Sequence, residues 1–222
     1  MATATIPDPP QSPGLTLHNV PWATYAQLRD EPGNGRVRMA YLDGTLTLMS
    51  PAYRHERGAE TLGLLIRGVT QGLGLEVLGA GSTTLRDPGK EAGKEPDTSF
   101  YLGDHERRMR TKEEVDLNVD PPPDLAIEVD HSHDSQNALA IYARLGVPEV
   151  WRYDVRRASL WFGRLEGDSY REVDRSACLP RLTPALVLQA LAVLYEGEMG
   201  ENAWLEWLRN WARDLPGAPA TA

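Results

Sequence analysis

Apolar residues recur along this chain at the spacings that are typical of strands and helices. Residues 37–41 and 46–48 alternate between apolar and polar side chains, and the turn dipeptide Asp43-Gly44 separates the two runs. Because the side chains of a strand point alternately to its two faces, the pattern predicts two half-buried strands joined by a tight turn. The sequence therefore predicts a β-hairpin in the N-terminal part of the chain.

Helical spacing appears in four other stretches, where apolar side chains return every three or four residues. The predicted helices cover residues 21–29, 53–71 and 135–145 and the region from 183 onward. Short strand patterns occupy residues 75–78, 82–85, 96–101, 122–130, 147–153, 160–162 and 169–173. The polar, glycine-rich residues 87–95 predict a loop. Together these elements predict one domain of mixed type.

One predicted strand carries acids where a core strand usually carries none. Leu125, Ile127 and Val129 share one of its faces. The opposite face holds Asp124, Ala126, Glu128 and Asp130. A row of carboxylates repels itself unless a cation, hydrogen-bond donors or bulk water compensates it, and a divalent metal ion is one natural compensator. An edge strand with one wet face is the alternative explanation.

Two further polar features are candidates for function. The apolar stripe of the 53–71 helix, extended back by one turn, places His55 on the inward side, where a hydrogen-bonded core histidine is the alternative to a catalyst. The segment 105–112 concentrates positive charge in an otherwise acidic chain. Its fixed cations are Arg107, Arg108, Arg110 and Lys112. They are the strongest candidates for phosphate contacts, and a solvated segment balanced by neighbouring acids is the alternative.

The composition narrows the classes of function. The 222-residue chain has a formal net charge of −9, which argues against a broadly basic nucleic-acid platform, so any nucleic-acid contact must be local. A single cysteine, Cys178, excludes an intrachain disulfide and a cysteine-cluster zinc site. No apolar run reaches the roughly 18 residues of a membrane span, and no secretory signal is recognisable. We therefore expect a cytoplasmic protein.

The two ends of the chain differ from its middle. Residues 1–14 combine four prolines with little apolar content, and we expect a disordered lead. Near the other end, apolar residues at helical spacing predict an amphipathic helix. Its stripe consists of Trp204, Leu208, Trp211 and Leu215, and it is widened by Leu205 and Trp207, which brings the tryptophans to three. So many tryptophans favour a homodimer interface, and packing onto the helix that begins at 183 is the alternative. The expected division is a domain over 15–199 followed by a helix and tail over 200–222.

A set of short motifs occurs in an order that resembles a known family. The motifs are Tyr41-Leu42-Asp43-Gly44, Met49-Ser50-Pro51, His55, Gly81-Ser82-Thr83-Thr84, Pro96-Asp97, Pro122 to Val129, Ile141-Tyr142-Ala143 and Gly146 to Tyr153. Over roughly residues 35 to 195, this order resembles the Uma-two family of bacterial predicted restriction endonucleases. The resemblance implies the PD-(D/E)XK nuclease fold, an α+β or α/β restriction-endonuclease-like core in which helices flank a mixed central β-sheet. It also implies cleavage of phosphodiester bonds in DNA that depends on Mg²⁺ or Mn²⁺.

The same resemblance assigns roles to four residues. Asp97 matches the acid of the first motif and Glu128 the acid of the second, and both would hold the metal ion. The backbone carbonyl of Val129 would complete the coordination. His55 matches a position at which the family usually keeps a histidine, which could carry a proton or hold a water molecule.

The chain departs from the family pattern at both usual lysine positions. Asp130 stands two residues after the second acid, and Ala138 stands at the helix position from which relatives commonly supply a lysine. Stabilisation of charge in the transition state then depends on Lys112, Arg144 or His131. The sequence favours a metal-dependent endonuclease. It leaves open a degenerate nuclease fold that binds nucleic acid or a protein without cleavage, and a purely structural protein.

Overall fold

The computed structural model describes residues 14–50, 53–130 and 135–217, and within these ranges the chain forms helices packed on two β-sheets. The helices are α1 (Trp22–Asp30), α2 (Tyr53–Leu73), α3 (Gly103–Met109), α4 (Ser135–Leu145), α5 (Pro184–Tyr195) and α6 (Glu201–Asp214). The strands are β1 (Leu15–Leu17), β2 (Arg38–Leu42), β3 (Thr45–Met49), β4 (Val77–Gly79), β5 (Leu85–Asp87), β6 (Ala92–Lys94), β7 (Thr98–Leu102), β8 (Leu125–Asp130), β9 (Glu149–Asp154), β10 (Ser159–Glu166) and β11 (Ser169–Glu172).

The central sheet has six strands in the order β11-β10-β9-β8-β7-β4. It is mixed, because β8 runs parallel to β9 and antiparallel to β7. Parallel neighbours need a crossover connection, and α4 lies between β8 and β9 in the chain. The prediction of a mixed sheet flanked by helices is confirmed. The acid-bearing strand β8 is central, so its interpretation as an edge strand is wrong.

Helices α2, α5 and α6 cover one face of the central sheet. On β8 this face presents Leu125, Ile127 and Val129, which are at most 2% exposed and belong to the main hydrophobic core. The prediction that these three apolar residues share a buried face is confirmed. The alternation also fixes the direction of Glu128, which must point to the other face.

Helix α4 covers that other face and separates it from the second sheet. Ala126 of β8 packs there in one cluster with Tyr142 of α4 and with Ala92 of β6. The second sheet is antiparallel in the order β1-β3-β2-β6-β5, and its β2 and β3 form the predicted hairpin. The predicted loop over 87–95 is wrong, because β5 pairs with β6, and β6 pairs with β2.

The C-terminal helix α6 is part of the main core. Trp204 and Leu208 are fully buried, and the indole of Trp204 donates a 2.9 Å hydrogen bond to the carbonyl of Ala190 in α5. Helix α6 also packs closely on α2, where an ideal Cβ built on Gly72 would lie 2.4 Å from the carbonyl oxygen of Arg209. The apolar stripe of α6 is therefore covered within the chain and does not require a second copy. The homodimer stays a prediction.

Two expectations concern parts of the chain that the structure does not describe. The predicted disordered lead over 1–14 lies outside the described residues except for Gly14, and His131 lies outside them as well. None of the helices in the described ranges has the length and apolar character that crossing a membrane requires.

Candidate functional site

The two acids predicted to form the site meet at one end of β8. Asp97 stands just before β7, and its backbone N–H donates to the carbonyl of Ile127 at 3.2 Å. Its carboxylate Oδ2 accepts the backbone N–H of Val129 at 2.7 Å. These two hydrogen bonds hold Asp97 against Ile127 and Val129 of β8, the residues on either side of Glu128. The structure thus brings Asp97, Glu128 and the Val129 backbone together, as the sequence predicts.

The first turn of α2 places His55 at the same point. Its Nε2 lies 3.0 Å from Asp97 Oδ2, and its side chain is 22% exposed. Burial opposes protonation of the imidazole, but the hydrogen bond and charge of Asp97, together with Glu128 and Glu56, outweigh it and raise the pKa of His55. The histidine is therefore a partner of the first acid, and its protonated form is favoured beside that carboxylate.

Lys94 at the end of β6 completes the cluster. Its Nζ lies 3.2 Å from Glu128 Oε2, and its side chain is only 5% exposed. The ammonium also sits 5.8 Å from the ring centroid of Tyr142. Burial disfavours the charged form, whereas the negative charges of Glu128 and Asp97 favour it, and the net effect raises the pKa of Lys94. A cation from the second sheet thus compensates the acids of the central sheet.

Strand alternation directs Lys94 into the site, whereas the neighbouring Glu95 points away from it. In β6, Ala92 and Lys94 share the face that looks toward α4. Glu95 points elsewhere, because its carboxylate pairs with Arg29 at 2.6 Å and accepts the backbone N–H of Met39 at 3.1 Å. The chain then crosses between the sheets over residues 95–97. Lys94 precedes Asp97 by only three residues, and this proximity was the one sequence signal that could have identified it.

Glu128 is held by two donors. The hydroxyl of Tyr142 donates to its Oε1, and Lys94 contacts its Oε2. Burial is the largest influence on this carboxyl and raises its pKa; the charge of Lys94 acts in the opposite direction, and repulsion from Asp97 adds to the increase. With 13% of its side chain exposed, Glu128 is still reachable from solvent. The charge of Lys94 and the hydrogen bonds from Tyr142 and Lys94 favour the ionised form and so limit this increase.

The cations expected from the sequence are engaged elsewhere. Lys112 Nζ pairs with Asp120 at 2.9 Å, and Arg144 pairs with Asp43 at 3.0 Å. His131 and the side chain of Asp130 lie outside the described part of the chain. Neither Lys112 nor Arg144 therefore supplies charge to the acids in this structure, and Lys94 takes that place.

The basic segment 105–112 lies at the other end of the central sheet. It begins in α3, which follows the last residue of β7, whereas Asp97 precedes the first residue of that strand. Each of its cations pairs with a nearby acid. The pairs are Arg107 with Asp104, Arg108 with Asp120, Arg110 with Glu106 and Lys112 with Asp120. The structure does not bring this segment to the acids, and its contact with nucleic acid stays a prediction.

The donor set at the acids fits a magnesium ion on chemical grounds. Mg²⁺ usually binds proteins through one or two carboxylates and keeps several waters, and Asp97 and Glu128 supply two carboxylates from adjacent segments. Among the residues that the structure describes, no group of three or more His, Cys, Asp or Glu side chains is arranged to hold a metal ion. Within those described residues, a zinc site built on three or four protein side chains does not fit.

A mixed sheet between helices, with two acids at the end of adjacent strands and a buried lysine beside the second acid, defines the restriction-endonuclease-like class. The chain belongs to the Uma2 (Uma-two) family, whose profile carries the description "Putative restriction endonuclease" and matches residues 22–194. The family resemblance drawn from the motifs is confirmed. Membership of this family supports a nuclease.

Among solved structures, the chain is similar to a protein from Anabaena variabilis described as a "putative nuclease belonging to DUF820". The two sequences are 16% identical, and the match covers 77% of this chain and 90% of that chain with a TM-score of 0.47. A comparison with curated proteins finds no match to this chain.

Proposed function

We propose that this protein is a Mg²⁺-dependent endonuclease that hydrolyses phosphodiester bonds in DNA. The observation that carries the proposal is the 3.2 Å contact between Lys94 Nζ and Glu128 Oε2, next to Asp97. Through this contact Lys94 supplies a cation to the acids, although Asp130 and Ala138 occupy the two positions at which the family usually has a lysine. Family membership supports a nuclease, a nucleic-acid substrate and the use of a divalent metal ion.

Asp97 and Glu128 would hold the metal ion, with the carbonyl of Val129 completing the set. When bound, Mg²⁺ polarises the scissile phosphate and lowers the pKa of a water molecule. The chain fixes the first of these ligands in advance, because the Val129 N–H and His55 both contact Asp97 Oδ2. A carboxylate oriented in this way needs little rearrangement to act as a ligand.

Lys94 serves the site in two ways. Its charge favours the ionised form of Glu128, and metal ligands must be deprotonated to bind. Its buried ammonium lies 3.2 Å from Glu128 Oε2, so a phosphate bound at this acid would meet a fixed cation, and such a cation in a site that largely excludes water stabilises developing negative charge strongly. His55, with its raised pKa, is placed to hold a proton at Nε2 beside Asp97.

Nicking of supercoiled plasmid in the presence of Mg²⁺ tests the function. Wild type is expected to nick, and Asp97→Asn and Glu128→Gln are each expected to lose roughly a hundredfold in rate, because each removes a charged ligand. Asp104→Asn is the matched control, since that carboxylate is 88% exposed in α3 at the other end of the central sheet. A wild type that does not nick with Mg²⁺ or Mn²⁺, or acid variants that nick as fast as wild type, would contradict the proposal.

A nuclease fold that binds nucleic acid without cleaving it is the second candidate. It is favoured by the engagement of both oxygens of Glu128 with Tyr142 and Lys94, which a metal ion would have to share. Retarded migration of DNA by wild-type protein that never nicks plasmid would identify this function.

The homodimer belongs to the same proposal, because cleavage of both strands of a duplex favours two sites and two-fold symmetry is the commonest arrangement. Light scattering at micromolar concentration is expected to give the mass of two chains. The mass of one chain would remove the homodimer and leave the site unaffected.

A further inference from the structure

The turn after β9 and the first turns of α2 lie at the end of the central sheet that carries the acids. The parallel register pairs Glu128 with Arg152 and Asp130 with Asp154, so the turn over residues 155–158 that follows β9 lies beyond the same end of the sheet. The first turns of α2 pack directly on it. An ideal Cβ built on Gly58 would lie 2.9 Å from Val129 and 3.3 Å from Val155.

Both elements expose arginines at this end. Arg54 and Arg57 are exposed on α2, and Arg156 and Arg157 are exposed in the turn after β9. We name these four residues the arginine rim. In a chain with a formal net charge of −9, so many exposed cations beside two acids form a local patch of opposite sign.

Two acids close to the arginine rim, Glu56 and Asp154, have partners of their own. Glu56 is paired with Arg38 at 3.4 Å. Asp154 pairs with Arg157 at 3.6 Å, and its Oδ1 accepts the backbone N–H groups of Arg156 and Arg157 at 2.9 and 3.0 Å. With 75% of its side chain exposed, Arg157 is held only loosely by this pair.

An exposed aromatic side chain stands next to the arginine rim. Tyr53, at the start of α2, is 82% exposed, the largest value among the exposed large hydrophobic residues of the described chain. It directly precedes Arg54 and lies two residues before His55, which contacts Asp97. Exposed aromatic rings beside a basic track are the means by which proteins hold single-stranded nucleic acid, because every base offers a face on which to stack.

We infer that the arginine rim binds the phosphate backbone of a DNA strand at the mouth of the acid site and that Tyr53 stacks on an unpaired base of that strand. The inference rests on the proposed function for the identity of the polymer. It adds a preference for DNA with unpaired bases near the point of cleavage, since Tyr53 has no base to stack on in an intact duplex.

Binding is measured by fluorescence anisotropy with a short labelled DNA oligonucleotide, single-stranded or annealed, in EDTA so that no cleavage occurs. The rim variants are Arg54→Ala/Arg57→Ala and Arg156→Ala/Arg157→Ala. Each is expected to reduce the slope of log K against log salt concentration by about 1.4 on the single strand, because two phosphate contacts contribute about 0.7 each. The matched control is Arg164→Ala/Arg171→Ala, which removes the same charge from exposed register partners on β10 and β11, away from the acids, and is expected to leave the slope unchanged.

Tyr53→Ala is expected to weaken binding of the single strand about tenfold and to leave duplex binding unchanged, whereas Tyr53→Phe keeps both. Unchanged melting temperatures confirm that the variants are folded. Rim variants that bind as tightly as wild type, or a control that loses as much affinity as they do, would overturn the inference. If the rim variants nick plasmid as fast as wild type and bind DNA as tightly, only the inference about the arginine rim is rejected. Wild type that binds through the rim but never nicks rejects only the nuclease function.

Discussion

Glu149 is a fully buried carboxylate that joins β9 to the loop after β11. It accepts hydrogen bonds from the indole of Trp151 at 2.5 Å and from the backbone N–H groups of Ala177 and Cys178 at 2.7 and 2.9 Å. A buried acid with several donors is structural, because each donor would otherwise lose its partner without gaining water. The glutamate of the motif over 146–153 therefore needs no role in catalysis.

Replacing Glu149 tests this structural role. Glu149→Ala is expected to lower the free energy of unfolding by about 3 kcal/mol, because it leaves buried donors unpaired. Glu149→Gln keeps one acceptor oxygen and should lose less. Urea denaturation followed by circular dichroism measures both. A value for Glu149→Ala within the error of wild type would show that the loop does not depend on this carboxylate.

The single thiol of Cys178 is kept unreactive by the same contacts. Burial raises the pKa of Cys178 well above that of a free thiol, and the negative charge of Glu149 adds to the increase. Because only the thiolate reacts, the native protein should react slowly with a disulfide reagent at neutral pH, and the rate should rise only as the pH approaches the raised pKa. The absorbance of the released thiolate measures the rate, with guanidinium-unfolded protein as the reference. Equal rates for native and unfolded protein at neutral pH would contradict the burial of this thiol.

Helix α2 carries two glycines that differ in their surroundings and so test its packing. A Cβ on Gly72 would lie 2.4 Å from the Arg209 carbonyl and 2.8 Å from Ala212, whereas the nearest atom to a Cβ on Gly63 lies 3.9 Å away in Phe100. Gly72→Ala should cost about 1 to 3 kcal/mol because α6 has to move. Gly63→Ala should be neutral or stabilise by up to about 1 kcal/mol, since alanine favours helices. Thermal unfolding compares them, and equal effects would contradict the close approach of α6.

Elements with long or strictly alternating patterns could be predicted from the sequence, and short ones could not. The β2–β3 hairpin, α2 and β8 carry their own apolar period. In contrast, β6 consists of Ala92, Gly93 and Lys94, which offer no alternation of apolar and polar side chains. It is a strand because β2 and β5 pair with it. Pairing between distant segments is not visible in a local pattern.

The same limit explains which site residues could be predicted. Asp97, Glu128 and His55 lie in motifs whose order resembles a known family. Lys94 lies in a stretch whose composition predicts a loop, and its approach to Glu128 depends on the packing of one sheet against another through α4. Its role becomes visible only when both sheets are in place.

At the scale of the whole molecule, α6 is part of the core, and the predicted boundary at residue 199 cuts through that core. Removing residues 200–222 should cost roughly 3 to 6 kcal/mol, because Trp204 and Leu208 are fully buried and each contributes about 1.5 to 3 kcal/mol. Circular dichroism of the 1–199 fragment measures the loss. A fragment that melts at the temperature of the full chain would show that α6 is an independent appendage.

Lys94 provides the cation for the acids Asp97 and Glu128, and Mg²⁺-dependent plasmid nicking by lysine variants tests this role. Lys94→Met is expected to lose roughly a hundredfold in rate, since the fixed charge at the site is gone. Lys90→Met is the matched control, because Lys90 belongs to the same segment, is 44% exposed and pairs with Asp87.

A lysine at the usual family position should restore part of the lost rate. Ala138 lies on α4 one turn before Tyr142, whose hydroxyl donates to Glu128, so the double variant Lys94→Met/Ala138→Lys returns a cation to the same carboxylate. We expect loss of nicking in Lys94→Met, partial recovery in the double variant and wild-type nicking in Lys90→Met. A Lys94→Met protein that folds and nicks plasmid at the wild-type rate would contradict a catalytic role for Lys94.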